Sequence, residues 1–330
     1  MSEQEWGALD RNLALEVVRV TEAAALAASA WIGRGDEKAA DQAAVDAMRR
    51  ALNSLYIQGE VVIGEGERDE APMLYIGEKV GQGKGPGVDI ALDPLEGTTI
   101  CAHGGPNSLA VVAMTDKGGF LNAPDVYMQK IACGPGFDKG FLDIDEPMSS
   151  LLPKMAKFKG GRVEELLVCV LDRPRHADLI ADIRKAGARI ILIGDGDVSG
   201  VIATAEPETG IDLYVGAGGA PEGVLAAAAL QCIGGQMQGR LLFRNDDERN
   251  RGTRWGIKDF NRVYDKDDMA HGNDIMFAAT GVTTGAMLKG VRRFTGGAET
   301  HSVVMRSKSG TVRRIESRHN FMRMPLKENI

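Results

Sequence analysis

The stretch Val88-Asp89-Ile90-Ala91-Leu92-Asp93-Pro94-Leu95-Glu96-Gly97-Thr98-Thr99 closes an apolar segment with two carboxylates, a proline, a glycine and hydroxyls. A buried strand over 88–92 would deliver Asp93 to a sheet edge. Pro94 keeps the chain out of helix and removes one backbone donor. Leu95 can then offer its carbonyl, and Glu96 its carboxylate, to cations beside Asp93. Gly97 lets the backbone approach a ligand closely. If a helix or turn starts there, the amides near Gly97 and Thr98 face an anion. Metal ligands, phosphate donors and a hydroxyl in one segment point to metal-assisted phosphoryl chemistry. A turn with a capping Asp is the simpler alternative.

Three further carboxylates stand in similar surroundings. Asp41 is read as opening a helix after Gly35-Asp36-Glu37-Lys38-Ala39-Ala40, Glu65 follows a strand in Ile63-Gly64-Glu65-Gly66-Glu67, and Glu222 lies between a strand and a helix in Gly218-Gly219-Ala220-Pro221-Glu222-Gly223. Ligand sites in open α/β sheets collect at the carboxyl ends of strands. Carboxylates gathered on one rim repel each other unless a cation neutralises them, and hard divalent cations prefer oxygen ligands. Each acid alone reads as a helix cap or a solvated loop residue; the group is what points to a metal.

The elements that must position these acids follow from periodicity. Apolar spacing predicts helices over 9–32 and 41–55, and strands near 60–64, 88–92 and 109–114, with Tyr127 on another extended segment. Residues 134–161 are dense in Gly, Pro and Lys, which places a junction there and divides the chain into halves 1–160 and 161–330. Beyond it, strands at 166–171, 189–193 and 211–215 alternate with helices at 174–186, 198–204 and 221–233, which argues for a parallel α/β sheet. Strands near 236–243, 275–280, 301–306 and 311–317 complete a mixed C-terminal region.

Composition narrows the class. The 330 residues suit two domains or one large layered α/β unit. A net charge of −7 argues against nucleic-acid binding. No apolar run is long enough to span a membrane, and the N-terminus, Met1-Ser2-Glu3-Gln4-Glu5, lacks a signal core, so a cytoplasmic protein is expected. The 4 cysteines and 5 histidines are scattered, without CxxC or HExxH spacing, and read as buried free thiols and non-ligands.

The motif Asp93-Pro94-Leu95-Glu96-Gly97-Thr98 resembles the Asp-Pro-Ile/Leu-Asp-Gly-Thr signature of the lithium-sensitive phosphatase superfamily, with Glu96 replacing the second Asp. That replacement, with Val62-Ile63-Gly64-Glu65-Gly66-Glu67-Arg68-Asp69-Glu70-Ala71-Pro72-Met73-Leu74-Tyr75 and Gly219-Ala220-Pro221-Glu222-Gly223, resembles the class II fructose-1,6-bisphosphatases of the bacterial GlpX type. The likeness runs from Gly33-Arg34-Gly35-Asp36 to Arg313-Arg314-Ile315. It implies an α/β fold with layers in the order α-β-α-β-α and two sheet-containing halves. The N-terminal half would bind metal and phosphate, and the C-terminal half the sugar and its 6-phosphate. The resemblance further implies on the order of two to three Mn²⁺ or Mg²⁺ ions on Asp41, Glu65, Asp93, Glu96 and Glu222.

The substrate residues it implies are Glu96, Gly97, Thr98, Tyr127, Arg173, Pro174, Arg175, Asp195, Gly196, Asp197 and Gly219. The reaction it implies is hydrolysis of the 1-phosphate of fructose 1,6-bisphosphate. Thr98 would orient the attacking water or donate to a phosphoryl oxygen, and Asp69 reads either as a base or as a solvated loop acid. Arg173 and Arg175 would clamp the distal phosphate. Some relatives carry Lys where this chain has Arg173. Sedoheptulose 1,7-bisphosphate is an alternative substrate. An inositol-monophosphatase-like enzyme and a non-catalytic metal-binding module are weaker alternatives. A homodimer or homotetramer is implied by the resemblance only.

Overall fold

The computed structural model describes residues 8–66 and 73–323. In chain order the main elements are α1 (Ala8–Ala28), α2 (Glu37–Ser54), β1 (Gln58–Ile63), β2 (Lys79–Val80), β3 (Gly87–Glu96), α3 (Thr98–His103), β4 (Leu109–Asp116), β5 (Tyr127–Cys133), α4 (Met148–Lys159), β6 (Leu167–Leu171), α5 (Ala177–Ala186), β7 (Arg189–Ile193), α6 (Asp197–Ala203), β8 (Leu213–Gly219), α7 (Ala220–Ile233), β9 (Gln236–Leu242), α8 (Asp246–Arg254), β10 (Val263–Asp265), α9 (Lys266–Met269), β11 (Met276–Gly281), β12 (Arg292–Phe294), β13 (Gly297–Arg306) and β14 (Thr311–Asn320). The chain is a mixed α/β protein with two mixed sheets.

It forms two compact units, residues 1–117 with 273–330, and residues 118–272. The stretch 134–161, where the sequence suggests a junction, lies wholly inside the second unit. The strands on either side of it, β5 and β6, belong to one sheet.

In the first unit the strand order runs β13-β11-β4-β3-β1-β2, with β12 and β14 also paired to β13. β1 and β3 are parallel, and the remaining pairs are antiparallel. One face is covered by α1 and α2. Val17, Ala24, Met48 and Leu52 pack there against Val61, Ile90, Leu92 and Val112, all buried. The second helix begins at Glu37, earlier than periodicity predicts, because Asp36 caps it by accepting from the Ala39 amide at 3.0 Å. Asp41 therefore sits one turn inside the helix and does not open it.

The second unit's sheet has the order β10-β9-β5-β8-β6-β7. Only β6, β7 and β8 are mutually parallel; β5, β9 and β10 run antiparallel to their neighbours, so the expected parallel sheet is half of the observed one. Side chains alternate across it. Ile131, Leu213 and Val168 pack against α4 and α5, while Lys130 and Tyr214 turn toward α7 and α6. Helices thus cover both faces of this sheet.

Candidate active site

β3 carries the motif along its last residues. Its register with β4 pairs Asp93 with Val111 and Glu96 with Leu109, leaving one extra residue on β3 between those pairs. In a regular strand, residues three apart point to opposite faces. This β-bulge cancels the odd spacing, so Asp93 and Glu96 emerge on the same face. Leu92 and Leu95 likewise share the other face, buried under α1 and α2. The Asp93 carboxylate accepts from the Leu95 amide at 3.0 Å, which folds the bulge back on itself. Glu96 is 4% exposed. Its carbonyl accepts from Ser108 Oγ at 2.9 Å, and the Ser108 amide in turn donates to Thr283 Oγ1 at 2.9 Å. Gly97 takes φ +79° and turns the chain into the short helix α3, whose first residue is Thr98. The Thr98 hydroxyl has no hydrogen-bond partner among the described residues.

The same rim receives Glu65. Because β1 and β3 are parallel with Ile63 level with Ala91, the chain leaves β1 toward Glu65 at the level of Asp93. Gly64 is required there: a Cβ on it would lie 2.1 Å from the Leu74 carbonyl oxygen. The Glu65 amide donates to that carbonyl at 3.1 Å. Buried Glu78 fixes the chain that returns to β2, accepting from the Leu74 amide and from Arg49 Nε. The Gly33 and Gly35 amides donate to the Cys101 and Ala102 carbonyls of α3, at 3.0 and 2.8 Å, and so tie the approach to α2 to the helix that follows Gly97. Asp41 is half-buried on α2. Burial holds its carboxyl above the usual carboxylate range, and it has no hydrogen-bond or ionic partner among the described residues. Asp69 lies outside the described residues.

In the second unit the topology brings the predicted sugar and phosphate residues to one rim. The carboxyl ends of parallel β6, β7 and β8 lie together, and they lead to Arg173, Asp195 and Gly219. Tyr127 opens β5 opposite Gly219 and opposite Leu242, the end of β9. The Tyr127 ring lies between two guanidinium groups, those of Arg175 and Arg244, each 4.8 Å from its centroid. Arg175 donates through Nε and Nη2 to the Ala217 carbonyl at 3.0 and 2.6 Å. Glu248, 1% exposed, grips Arg244 through its amide and Nε, both at 2.7 Å. Arg173 reaches Asp195 Oδ1 at 3.9 Å. Pro174, between the two arginines, starts the 3₁₀ turn that carries Arg175.

His176 ends that turn and is buried. The Ala217 amide donates to its Nε2 at 2.9 Å, so its proton lies on Nδ1, facing the Leu171 carbonyl at 2.8 Å. The imidazole thereby joins the ends of β6 and β8. Desolvation holds it below the ordinary histidine range, reinforced by Arg175 and Arg173 and opposed by the Leu171 carbonyl. Deeper in, Lys130 donates to Asp197 Oδ2 and to the Gly219 carbonyl. Asp197 is the first residue of α6, and Gly196, at φ +87°, is its cap. Glu222 occupies the first turn of α7. The residue is half-buried, and its Oε2 is buried without a hydrogen-bond partner among the described residues. Burial, with Asp197 nearby and Lys130 opposing, pushes its carboxyl up to about 7. Lys130, His176, Arg244 and Glu248 carry no sequence motif; only the alternation of β5 and the closing of the rim reveal them.

Among the described residues no three His, Cys, Asp or Glu side chains are drawn together as a ready metal-holding group. Two observations nevertheless fit a cation. The half-buried Asp41 carboxylate lacks a counter-charge, and the buried Glu222 oxygen lacks a donor. All four cysteines are free and buried, as the sequence suggests. Burial pushes the Cys101 thiol up to about 11 and those of Cys133 and Cys169 up to about 12. No described helix is long and apolar enough to cross a membrane.

A family model described as bacterial fructose-1,6-bisphosphatase, glpX-encoded, matches residues 11–319. Among curated proteins, the fructose-1,6-bisphosphatase 1 class 2 of Escherichia coli (strain K12) is 48% identical over 323 aligned positions, covering 94% of this chain and 95% of the relative. The fructose-1,6-bisphosphatase class 2 of Shigella flexneri matches to the same extent.

Proposed function

The chain belongs to the bacterial, glpX-encoded fructose-1,6-bisphosphatases, and from that premise we propose that it hydrolyses the 1-phosphate of fructose 1,6-bisphosphate, giving fructose 6-phosphate and phosphate, with Mn²⁺ or Mg²⁺ as cofactor. The observation that carries this reading is the shared face of Asp93 and Glu96, which the bulge creates at the end of β3. Such cations supply Lewis-acid stabilisation of the phosphoryl oxygens and a more acidic attacking water. In the first unit Asp41, Glu65, Asp93 and Glu96 are the proposed ligands. Thr98, at the start of α3, donates its hydroxyl to a phosphoryl oxygen or orients the water. Glu222 is a proposed ligand on the strength of the family and of its unsatisfied buried oxygen.

In the second unit Arg173, Arg175 and Tyr127 are the proposed holders of the 6-phosphate. Guanidinium forks match phosphate geometry, and the arginine stacked on Tyr127 is held in place before a ligand arrives. Asp195 and Asp197 accept from sugar hydroxyls, with the backbone of Gly196 and Gly219 beside them. The free thiols support a reducing, cytoplasmic setting. The family supports a homodimer or homotetramer, which light scattering of the purified chain would read.

The test is phosphate release from fructose 1,6-bisphosphate, sedoheptulose 1,7-bisphosphate, fructose 1-phosphate and inositol 1-phosphate, each with Mn²⁺, Mg²⁺ or chelator. Release from fructose 1,6-bisphosphate that needs a divalent ion and exceeds release from either monophosphate supports the reading. Equal rates on the monophosphates, or full activity in chelator, would sink it.

A further inference from the structure

Lys130 is 1% exposed, which is unusual for a lysine. It lies on β5, three residues from Tyr127, on the face turned toward α7. Its ammonium donates to Asp197 Oδ2 at the start of α6 and to the Gly219 carbonyl, at 2.9 Å, at the end of β8. One buried group thus joins three segments of the second unit, and two of them carry residues assigned above to the sugar.

The neighbouring backbone is shaped to admit this arrangement. A Cβ on Gly218 would lie 2.1 Å from Asp197 Oδ2 and 3.2 Å from Lys130 Nζ. A Cβ on Gly223 would lie 2.6 Å from Met128 Sδ and 3.4 Å from Lys130 Cδ. Glycines at both positions leave room for the pair.

As a source of stability the pair is a poor choice. Desolvating two charges offsets their attraction, and apolar replacements of buried ion pairs are often as stable. What the pair supplies is position. Oδ2 of Asp197 is committed to Lys130, which fixes the plane of the carboxylate, and the Gly219 carbonyl is pinned to the same ammonium.

We infer that Lys130 is a positioning residue for sugar recognition, setting the Asp197 carboxylate and the Gly219 carbonyl at the spacing that the hydroxyl groups of a sugar phosphate require. The inference rests on the reading that Asp197 and Gly219 contact the sugar.

The experiment compares the full chain with Lys130→Met, Asp197→Asn and the double variant, in Mn²⁺, by steady-state kinetics on fructose 1,6-bisphosphate and by thermal unfolding. A misplaced charged hydrogen bond to a hydroxyl is expected to raise KM about tenfold in each single variant, with a smaller change in kcat. Because both substitutions remove one and the same fixed carboxylate, the double variant should be no worse than the more affected single one. It should also unfold closer to the wild-type midpoint than Lys130→Met does, since the Asp197 charge is no longer left buried without its partner.

A Lys130→Met enzyme with wild-type KM, or effects that multiply in the double variant, overturns the inference. An Asp197→Asn enzyme with unchanged KM removes Asp197 from the sugar site, and the inference falls with that reading. Raised KM in Asp197→Asn alone leaves the site standing and removes Lys130. If Lys130→Met does not fold, Lys130→Arg decides: it keeps the charge but displaces the donor, so a raised KM supports the inference and a wild-type KM overturns it.

Discussion

Asp93 and Glu96 leave β3 on one face of the sheet because a single extra residue between their β4 partners cancels the odd spacing of the motif. The pairing of β3 with β4 therefore aims both carboxylates. Replacing Asp93 or Glu65 with Ala should lower turnover by more than about a hundredfold. Neither substitution opens a cavity in the apolar core, so both variants should fold, with Asp93→Ala melting somewhat lower because the Leu95 amide loses its acceptor. Undiminished phosphate release from either variant would remove these residues from the active site.

Ser108 is buried and holds the Glu96 carbonyl through its hydroxyl. Ser108→Ala removes one donor to that carbonyl, at a cost of about 1 kcal/mol. The urea midpoint should fall accordingly, and activity should require more Mn²⁺ for half-saturation. A variant with unchanged midpoint and metal dependence would show that the hydroxyl does not hold the motif.

The arginines of the second unit should behave as binding groups. Arg173→Ala is expected to raise KM for fructose 1,6-bisphosphate about tenfold with kcat little changed, because it removes contacts remote from the reacting phosphate. Arg244→Met removes one of the two guanidinium faces on Tyr127, and a smaller rise in KM should follow. A large fall in kcat at constant KM, in either case, would contradict a distal-phosphate role.

His176 gives stability a defined pH dependence. Its imidazole titrates below the ordinary range in the folded chain, so between the folded and unfolded values the unfolded chain binds the extra proton. The stability it contributes is therefore complete above about pH 6.5, the unfolded value, and is lost as pH falls through the lower folded value. Urea midpoints taken from pH 7 downward should decline, and His176→Gln should flatten that decline. A wild-type midpoint that rises over the same range would reverse the sign and refute the assignment.

Much of this arrangement is legible in the sequence where residue type and spacing act locally. The 88–92 strand, the turn at Gly97, the alternation from 166 to 233 and the buried cysteines all follow from period and composition. The bulge is not legible, because it exists only in the register of β3 against β4. Lys130 reads as an ordinary polar position in Tyr127-Met128-Gln129-Lys130, and only the approach of α6 and α7 makes it a buried tie. The start of α2 is displaced because Asp36, not Asp41, reaches back to cap the helix. The limits of the first unit escape notice for a related reason: the chain departs at 117 and returns at 273 to complete the same sheet. Local pattern cannot encode which distant strands will pair.

The residues on the second unit's rim lie where strands begin or end, and nearly all of the pairing that holds the sheet lies behind them. Recognition and folding are thereby written in separate parts of the chain. The short connections after β6, β7 and β9, apart from the His176 tie between β6 and β8, can change charge across descendants of this protein while the strand ladders stay as they are. Catalysis at the other unit's carboxylates could then be inherited unchanged while the choice of sugar drifts, one loop at a time.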